Sequence, residues 1–455
     1  MAAVVQEQEV PTYLDIDRTI QKQLLAPGGV KYWLWVGFCA LLTAVGIGCW
    51  TNQIYSGLGV TGLSQPTMWA VYITNFVFWV GIAHAGTLIS AILYLFRTRW
   101  RTGIFRAAET MTIFAIATAG LFPVIHLGRP WFFYWLIPYP NERYLQPDFR
   151  SPLVWDFFAI STYLTISVLF WATGLIPDTA NVREVATGWR KTLYKIWSVG
   201  WQGTDRQWRN FSMLYILLAG FATPLVLSVH SVVSWDFAMM QLPGMHSTIF
   251  APYFVAGAIF SGCALVITLV VPLRKFWHLE EAITIWHLDN LAKVVLLTSL
   301  IITYSYCCES FMTWYSGDLI EIATFQNRYF GPEAWMFWLM IFCNCVAPLA
   351  YFVPRVRTNA TGLFVISIFV NIGMWFERFV IIAGSLATNT EPSQWRFYTF
   401  QPTEILITVG SFGWFLMNFF LFAKFMPIVS MTELKEGVGY LRQAVTETYP
   451  YKKVA

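Results

Sequence analysis

His126 and Asp156 are the residues of this chain whose types and spacing most readily do chemistry. His126 closes a long apolar run in FPVIHLGRPWFFYWLIPY (122–139), and Asp156 opens the next in SPLVWDF (151–157). Their positions allow them to approach across neighbouring helices. A histidine near a carboxylate can exchange protons near neutral pH. The aromatics that follow, Trp131, Phe132, Phe133, Tyr134 and Trp135, suit a flat ring ligand above the histidine. A quinol fits this setting: one hydroxyl bonds His126, the other group a second polar residue, and the isoprenoid tail lies in lipid. The plainer alternative is a helix end anchored by an aromatic belt, with His126 capping the last carbonyls. The residues alone leave both open.

Other ionisable groups also fall inside apolar segments, where each costs about 3 kcal/mol at the centre of the bilayer and is a functional candidate by default. By sequence depth, His230, Asp236, Glu309, Glu377, Arg378 and Glu404 join His126 and Asp156 in the outer half. Glu109, Asp289 and Lys293 lie in the inner half, and His84 near the middle. Asp289 and Lys293 share a helix face four residues apart and read as a structural ion pair. Glu377 and Arg378 are adjacent and do not face each other, so each is expected to find its own partner, as a clamp or in a proton path. His84, Glu109, His230, Asp236, Glu377 and Arg378 are the candidates for a transmembrane proton relay.

Several chemistries are poorly supported. Only His84, His126 and His230 lie within spans, at unequal expected depths, so no bis-histidine haem is expected. The seven cysteines all fall in apolar segments without a C-x-x-C pair, which argues against an iron–sulfur cluster or zinc held by this chain. No metal site, nucleotide-binding glycine motif, nucleophile elbow or nucleic-acid-binding feature is present in the sequence.

The elements that must position these residues are membrane helices. The chain is 57% hydrophobic and 12% charged, with mean hydropathy +0.54. Apolar runs long enough to cross a hydrocarbon core of about 30 Å recur throughout. The fold class is therefore all-α and polytopic. The expected spans are 32–54, 67–96, 104–127, 152–176, 211–234, 249–273, 288–315, 334–354, 361–386 and 402–427. Basic residues concentrate on one side of this arrangement; the opposite loops carry only Arg129, Arg143, Arg150, Arg328 and Arg396. Positive charge marks the cytoplasmic side, so both termini are expected there and His126 at the outer face. The polar first 31 residues lack a leader pattern, and no removable signal peptide is expected. The basic, Trp-containing stretch GWRKTLYKIWSVGWQ (188–202) reads as an amphipathic helix along the inner leaflet, or as a partner-docking surface.

The chain also repeats itself. SPLVWDF (151–157) answers GPEAWMF (331–337), and GIAHAG (81–86) answers GAIFSG (257–262), each four spans apart. This suggests two four-helix bundles, spans 2–5 and 6–9, in parallel orientation with two flanking helices. The second copy has Met336 where the first has Asp156, and Phe260 where the first has His84. That loss points to one polar site in the first bundle. The expected division is a cytoplasmic segment (1–31), first helix and outer loop (32–66), first bundle with the quinol site (67–234), second bundle (235–386), and outer loop, tenth helix and cytoplasmic tail (387–455).

At these residues the chain resembles the NrfD/polysulfide reductase membrane subunit family, through HLGRPWFFYW, SPLVWDF, SVHSVVSWDFA (228–238), LPGMHSTIFAPYF (242–254) and MWFERFVI (374–381). GIAHAGTLISAILYLFR (81–97) and the ten-span length more closely resemble the ActC subgroup of bacterial alternative complex III. The resemblance implies a multi-pass subunit of the bacterial inner membrane with no redox centre of its own. Quinol, expected to be menaquinol with ubiquinol the alternative, would bind near the outer face at His126 and Asp156, with Arg129, Trp131 and Arg396 as contributors. Electrons would pass to a peripheral iron–sulfur subunit and on to multihaem cytochrome c subunits; a second NrfD-like membrane subunit and lipid would be the other partners. From another class, the alternative is a membrane scaffold or a proton- or solute-translocating subunit without a quinol site.

Overall fold

The computed structural model describes residues 12–138, 148–388 and 392–437. Residues 1–11, 139–147 (with Arg143), 389–391 and the tail beyond 437 lie outside the described residues. Among the described residues ten helices are long and apolar enough to cross a membrane. In chain order the elements are α1 (Tyr13–Leu25), α2 (Val30–Ser56), α3 (Val71–Leu95), α4 (Phe105–His126), α5 (Pro152–Val185), α6 (Gly188–Trp197), α7 (Asp205–Ala238), α8 (Phe250–Phe276), α9 (Ile285–Ser316), α10 (Leu319–Phe330), α11 (Ala334–Phe352), α12 (Ala360–Ala387) and α13 (Pro402–Phe425). All but α1, α6 and α10 are the membrane-length helices. Each falls on an expected span. The largest differences are α5, which runs on to Val185, and α7, which begins at Asp205. Their extra turns are polar, and hydropathy does not register them.

Local sequence sets the ends. Thr204 and Gln207 cap α7 reciprocally, Gln401 and Glu404 cap α13, and Asp318 accepts from the first amides of α10. Pro152 opens α5 in the first turn, where a missing N–H costs nothing. Three helices contain a π-helical turn: Leu88–Ile92 in α3, Phe342–Val346 in α11 and Val380–Gly384 in α12.

Helices α3 and α8 are central: 78% of the apolar window of each is buried, against 22% for α2 and α5. Helix α3 packs on α4, α7, α8 and α12; α5 packs on α4 and α7; α8 also packs on α7, α9 and α12; α11 packs on α12 and α9; α2 pairs with α13. Small residues bring these helices close, as is common where the hydrophobic effect cannot drive association. A Cβ on Gly262 of α8 would come 2.2 Å from the Ala85 side chain of α3, so the two repeated motifs touch each other.

One end of the molecule, called inner below after the charge bias, is covered by α1, α6 and residues 427–437. Tyr194 of α6 donates to the Phe425 carbonyl at 2.9 Å, and Lys424 donates to the Ala26 carbonyl at 2.7 Å. Helix α6 is the amphipathic helix expected from the sequence. It buries Tyr194 and packs Trp197 on Trp171 of α5 at 5.6 Å. Its apolar side therefore meets protein, while Trp189 and Ile196 stay exposed.

Candidate functional site

At the other, outer end, α5 begins and α7 ends side by side. This places Asp156, near the start of α5, within hydrogen-bonding range of Asp236, near the end of α7. Both side chains are buried, and no hydroxyl or N–H of the described residues reaches either Oδ1. Two carboxyl groups this close can bond to each other only when one carries a proton, so the pair is suited to hold and exchange one. Sequence reading sets Asp236 in a proton path and does not pair it with Asp156; the separation along the chain conceals the contact.

His126 sits at the same end, half-buried at the last turn of α4, with a buried Nδ1 that has no partner among the described residues. It forms no ion pair within 4.0 Å of Asp156 among the described residues; the carboxyl meets Asp236 instead. The His126 turn is fixed by a neighbour that sequence reading misses. Gln53 of α2, fully buried, donates to the Ile125 carbonyl at 2.9 Å and accepts from Tyr72. A polar amide near the end of an apolar run is the available signal.

The expected aromatic lid does not close over the histidine. Residues Pro130–Leu136 form a 3₁₀ turn with no buried residue, and Trp131, Phe133, Tyr134 and Trp135 are exposed. Arg129 and Arg396 are exposed as well. The exposed rings of this turn lie where lipid headgroups or a partner would meet them.

Deeper in the molecule the candidates form two further clusters. His84 of α3 stacks on Tyr163 of α5 at 4.5 Å, donates or accepts through Nδ1 at the Val80 carbonyl, and lies 4.9 Å from the ring of His230 of α7. The two histidines are thus at one depth, which corrects the unequal depths inferred from span positions. His84 Nε2 and both ring nitrogens of His230 are buried without partners. Beyond Phe254, whose ring carries the Arg378 guanidinium at 4.0 Å, Glu377 and Arg378 of α12 pair with each other at 3.1 Å. This contact departs from the expectation that the two side chains do not face each other. Glu377 also accepts from Tyr306 of α9 and from Asn344 of α11, the latter at 3.4 Å.

Towards the inner end, Glu109 takes Arg106 at 2.9 Å and the Tyr215 hydroxyl at 3.1 Å, while Arg106 also reaches Asp178 at 3.4 Å and the Gly174 carbonyl at 2.6 Å. Asp178 lies on the extension of α5 that hydropathy leaves in a loop. Among the described residues no hydrogen bond joins this cluster, the histidine pair and the outer carboxyls into one chain. Two acidic residues are structural. Asp289 binds Lys293 and Arg357, each at 2.6 Å, as the i,i+4 spacing predicts for the lysine. Glu404 accepts from Tyr398, Gly62 and Gln401. Among the described residues no group of three or more His, Cys, Asp or Glu could hold a metal ion.

Comparison with known proteins places these features in context. The model of the family described as polysulphide reductase, NrfD, matches residues 59–389. Over 421 residues the chain is 28% identical to a putative dimethyl sulfoxide reductase membrane protein of Halobacterium salinarum, spanning 87% of this chain and 91% of that protein. It is 22% identical over 395 residues to the integral membrane subunit of a menaquinone reductase from Nitratidesulfovibrio vulgaris, spanning 81% and 85%. It is 21% identical over 309 residues to a selenate reductase subunit of Mesobacillus selenatarsenatis, spanning 66% and 70%.

Proposed function

The chain belongs to the polysulphide reductase NrfD family, and from that premise we propose that it is the quinol-binding membrane subunit of a multi-subunit oxidoreductase. The observation that carries this reading is the pair of buried carboxyls at one rim, Asp156 beside Asp236, with no N–H or hydroxyl donor at either Oδ1 among the described residues, and at the same end a buried His126 Nδ1 that also lacks a partner there. A hydroquinone brings two hydroxyl donors on a flat ring and meets that need. The menaquinone reductase relative supports a quinone as the ligand.

In this reading quinol binds at the outer rim with its ring between α4, α5 and α7. Arg129, Trp131 and Arg396 belong to the mouth of the site, where a partner protein would cover them. Quinol loses two protons and two electrons to become quinone. The protons go to His126 and the Asp156–Asp236 pair, and on to the outer aqueous phase. The electrons leave to an iron–sulfur cluster of a neighbouring peripheral subunit, then to multihaem cytochrome c, as in an alternative complex III whose ActC subunit this chain would be. Both termini face the cytoplasm of a bacterial inner membrane. Helices α3, α4, α5 and α7 form one bundle, α8, α9, α11 and α12 the other, flanked by α2 and α13. A second NrfD-like subunit and lipid complete the surroundings.

The test is Asp156→Asn in the purified assembly. An amide still bonds to Asp236, so assembly should persist. Quinol oxidation should fall by about a hundredfold, the lower range of general acid–base contributions. Normal turnover in an assembled complex would defeat the reading.

The contact between His84 and His230 favours a second reading, in which these rings, with Glu109, Glu377 and Arg378, belong to a proton path across the membrane. Reconstituted vesicles should then acidify by more protons than quinol itself releases. A ratio accounted for by quinol alone would remove it.

A further inference from the structure

A small cleft, with an enclosed volume of about 30 Å³, opens between α10, the start of α11 and the outer end of α12. Its floor is the π-helical turn Val380–Gly384. Such turns are uncommon and concentrate at functional sites. Gly384 is informative here. Its backbone is ordinary right-handed helix, φ −63° and ψ −41°, so no conformation demands glycine. A Cβ there would meet nothing within 4 Å, so close packing does not demand it either. On the same helix Gly373 is the opposite case, since its Cβ would strike Asn344 at 2.2 Å. The missing side chain at Gly384 leaves space in the cleft.

The polar groups facing this space have a definite character. Thr324 is 2% exposed, and its Oγ1 has no partner among the described residues. Glu333 accepts from the Tyr398 amide through Oε1 at 3.1 Å and makes no ion pair among the described residues. Burial raises its carboxyl above the ordinary glutamate range. Arg328 is already engaged, at 3.2 Å to Glu309, 3.1 Å to Ser385 and 3.4 Å to the Gly244 carbonyl. The cleft therefore presents hydroxyl, carboxamide and carboxyl groups, and Arg328, the cation beside them, is already paired with Glu309. Met336, Phe337 and Phe379 supply an apolar wall beside them.

We propose that this cleft is a second amphiphile site, taking an uncharged, hydroxyl-bearing head whose apolar tail continues into the membrane. Head groups of this chemistry come from two sources, quinols and neutral hydroxylated lipids. The site is separate from the Asp156 rim and does not rest on the quinol reading given above.

Photolabelling of the intact complex tests it with two probes, an azido-quinol and a photoreactive diacylglycerol. One of them should label peptides within 324–337 or 379–388, and which one labels identifies the source. Gly384→Leu, which fills the cleft from a helical position, should cut that labelling at least tenfold, whereas Gly384→Ala should retain it. Thr324→Val, which keeps shape and removes the hydroxyl, should weaken it in the same direction and serves if the leucine variant does not assemble. Asp156→Asn should leave it unchanged, so failure at one site is distinguishable from failure at the other. Absence of label from both probes overturns the proposal, as does labelling that neither Gly384→Leu nor Thr324→Val reduces.

Discussion

A buried carboxyl is informative through the donors around it. Glu404 has three, from Tyr398, Gly62 and Gln401, and so is a satisfied cap. Asp156 and Asp236 have each other and no N–H or hydroxyl at Oδ1. Paired carboxyls without donors are poor packing elements and good proton acceptors. The two classes should separate on substitution. Glu404→Gln should cost about 1–3 kcal/mol of stability and spare turnover. Asp236→Asn should lower quinol turnover by about a hundredfold and leave the melting temperature near wild type. Thermal unfolding and quinol-oxidation assays on the same preparations check both; the reverse pattern would mean that the pair is structural. The sequence singles out both aspartates by their cost in an apolar segment. It does not show that they meet, because depth along a helix says nothing about azimuth around it.

Ten spans are legible because about twenty apolar residues in a row have one stable solution in lipid. What hydropathy does not record are features that cost no apolar residues. The polar extensions of α5 and α7 are of this kind. The π turns leave no periodicity strong enough to read. Helix contacts are similarly hidden, yet glycine carries part of them. Gly46 of α2 lies so near α13 that its Cβ would come 2.8 Å from the Gly410 Cα, while Gly48, two residues on, has open surroundings. Gly46→Leu should therefore force α2 and α13 apart and destabilise the fold by about 1–3 kcal/mol, as overpacking does. Gly48→Leu should be near neutral. Tryptophan fluorescence during thermal unfolding in detergent distinguishes them, and equal effects would show that helix propensity rather than contact governs these sites.

The whole molecule is closed at one end and open at the other. At the inner end buried ion pairs anchor the cover: Arg101 pairs with Glu433, and Asp178 accepts from Thr432 at 2.9 and 3.0 Å while also reaching Arg106. Arg101 and Asp178 thereby tie the inner ends of the membrane helices to the segment after α13. At the outer end the aromatic turn, Arg129, Arg396 and the cleft beside Gly384 remain accessible in the single chain. A surface with this many exposed rings and few charges is what a partner protein buries in an assembly. The proposed electron route requires that open end to face outward, and the basic loops predict that it does. Single cysteines test the assignment directly, because the native ones lie within the membrane-length helices. Gln394→Cys, exposed beside α13, should react with an impermeant maleimide in sealed right-side-out vesicles. Lys191→Cys on α6 should react only after permeabilisation. The opposite labelling would place the carboxyl pair on the cytoplasmic side, and protons released from quinol there could not contribute to an outward gradient.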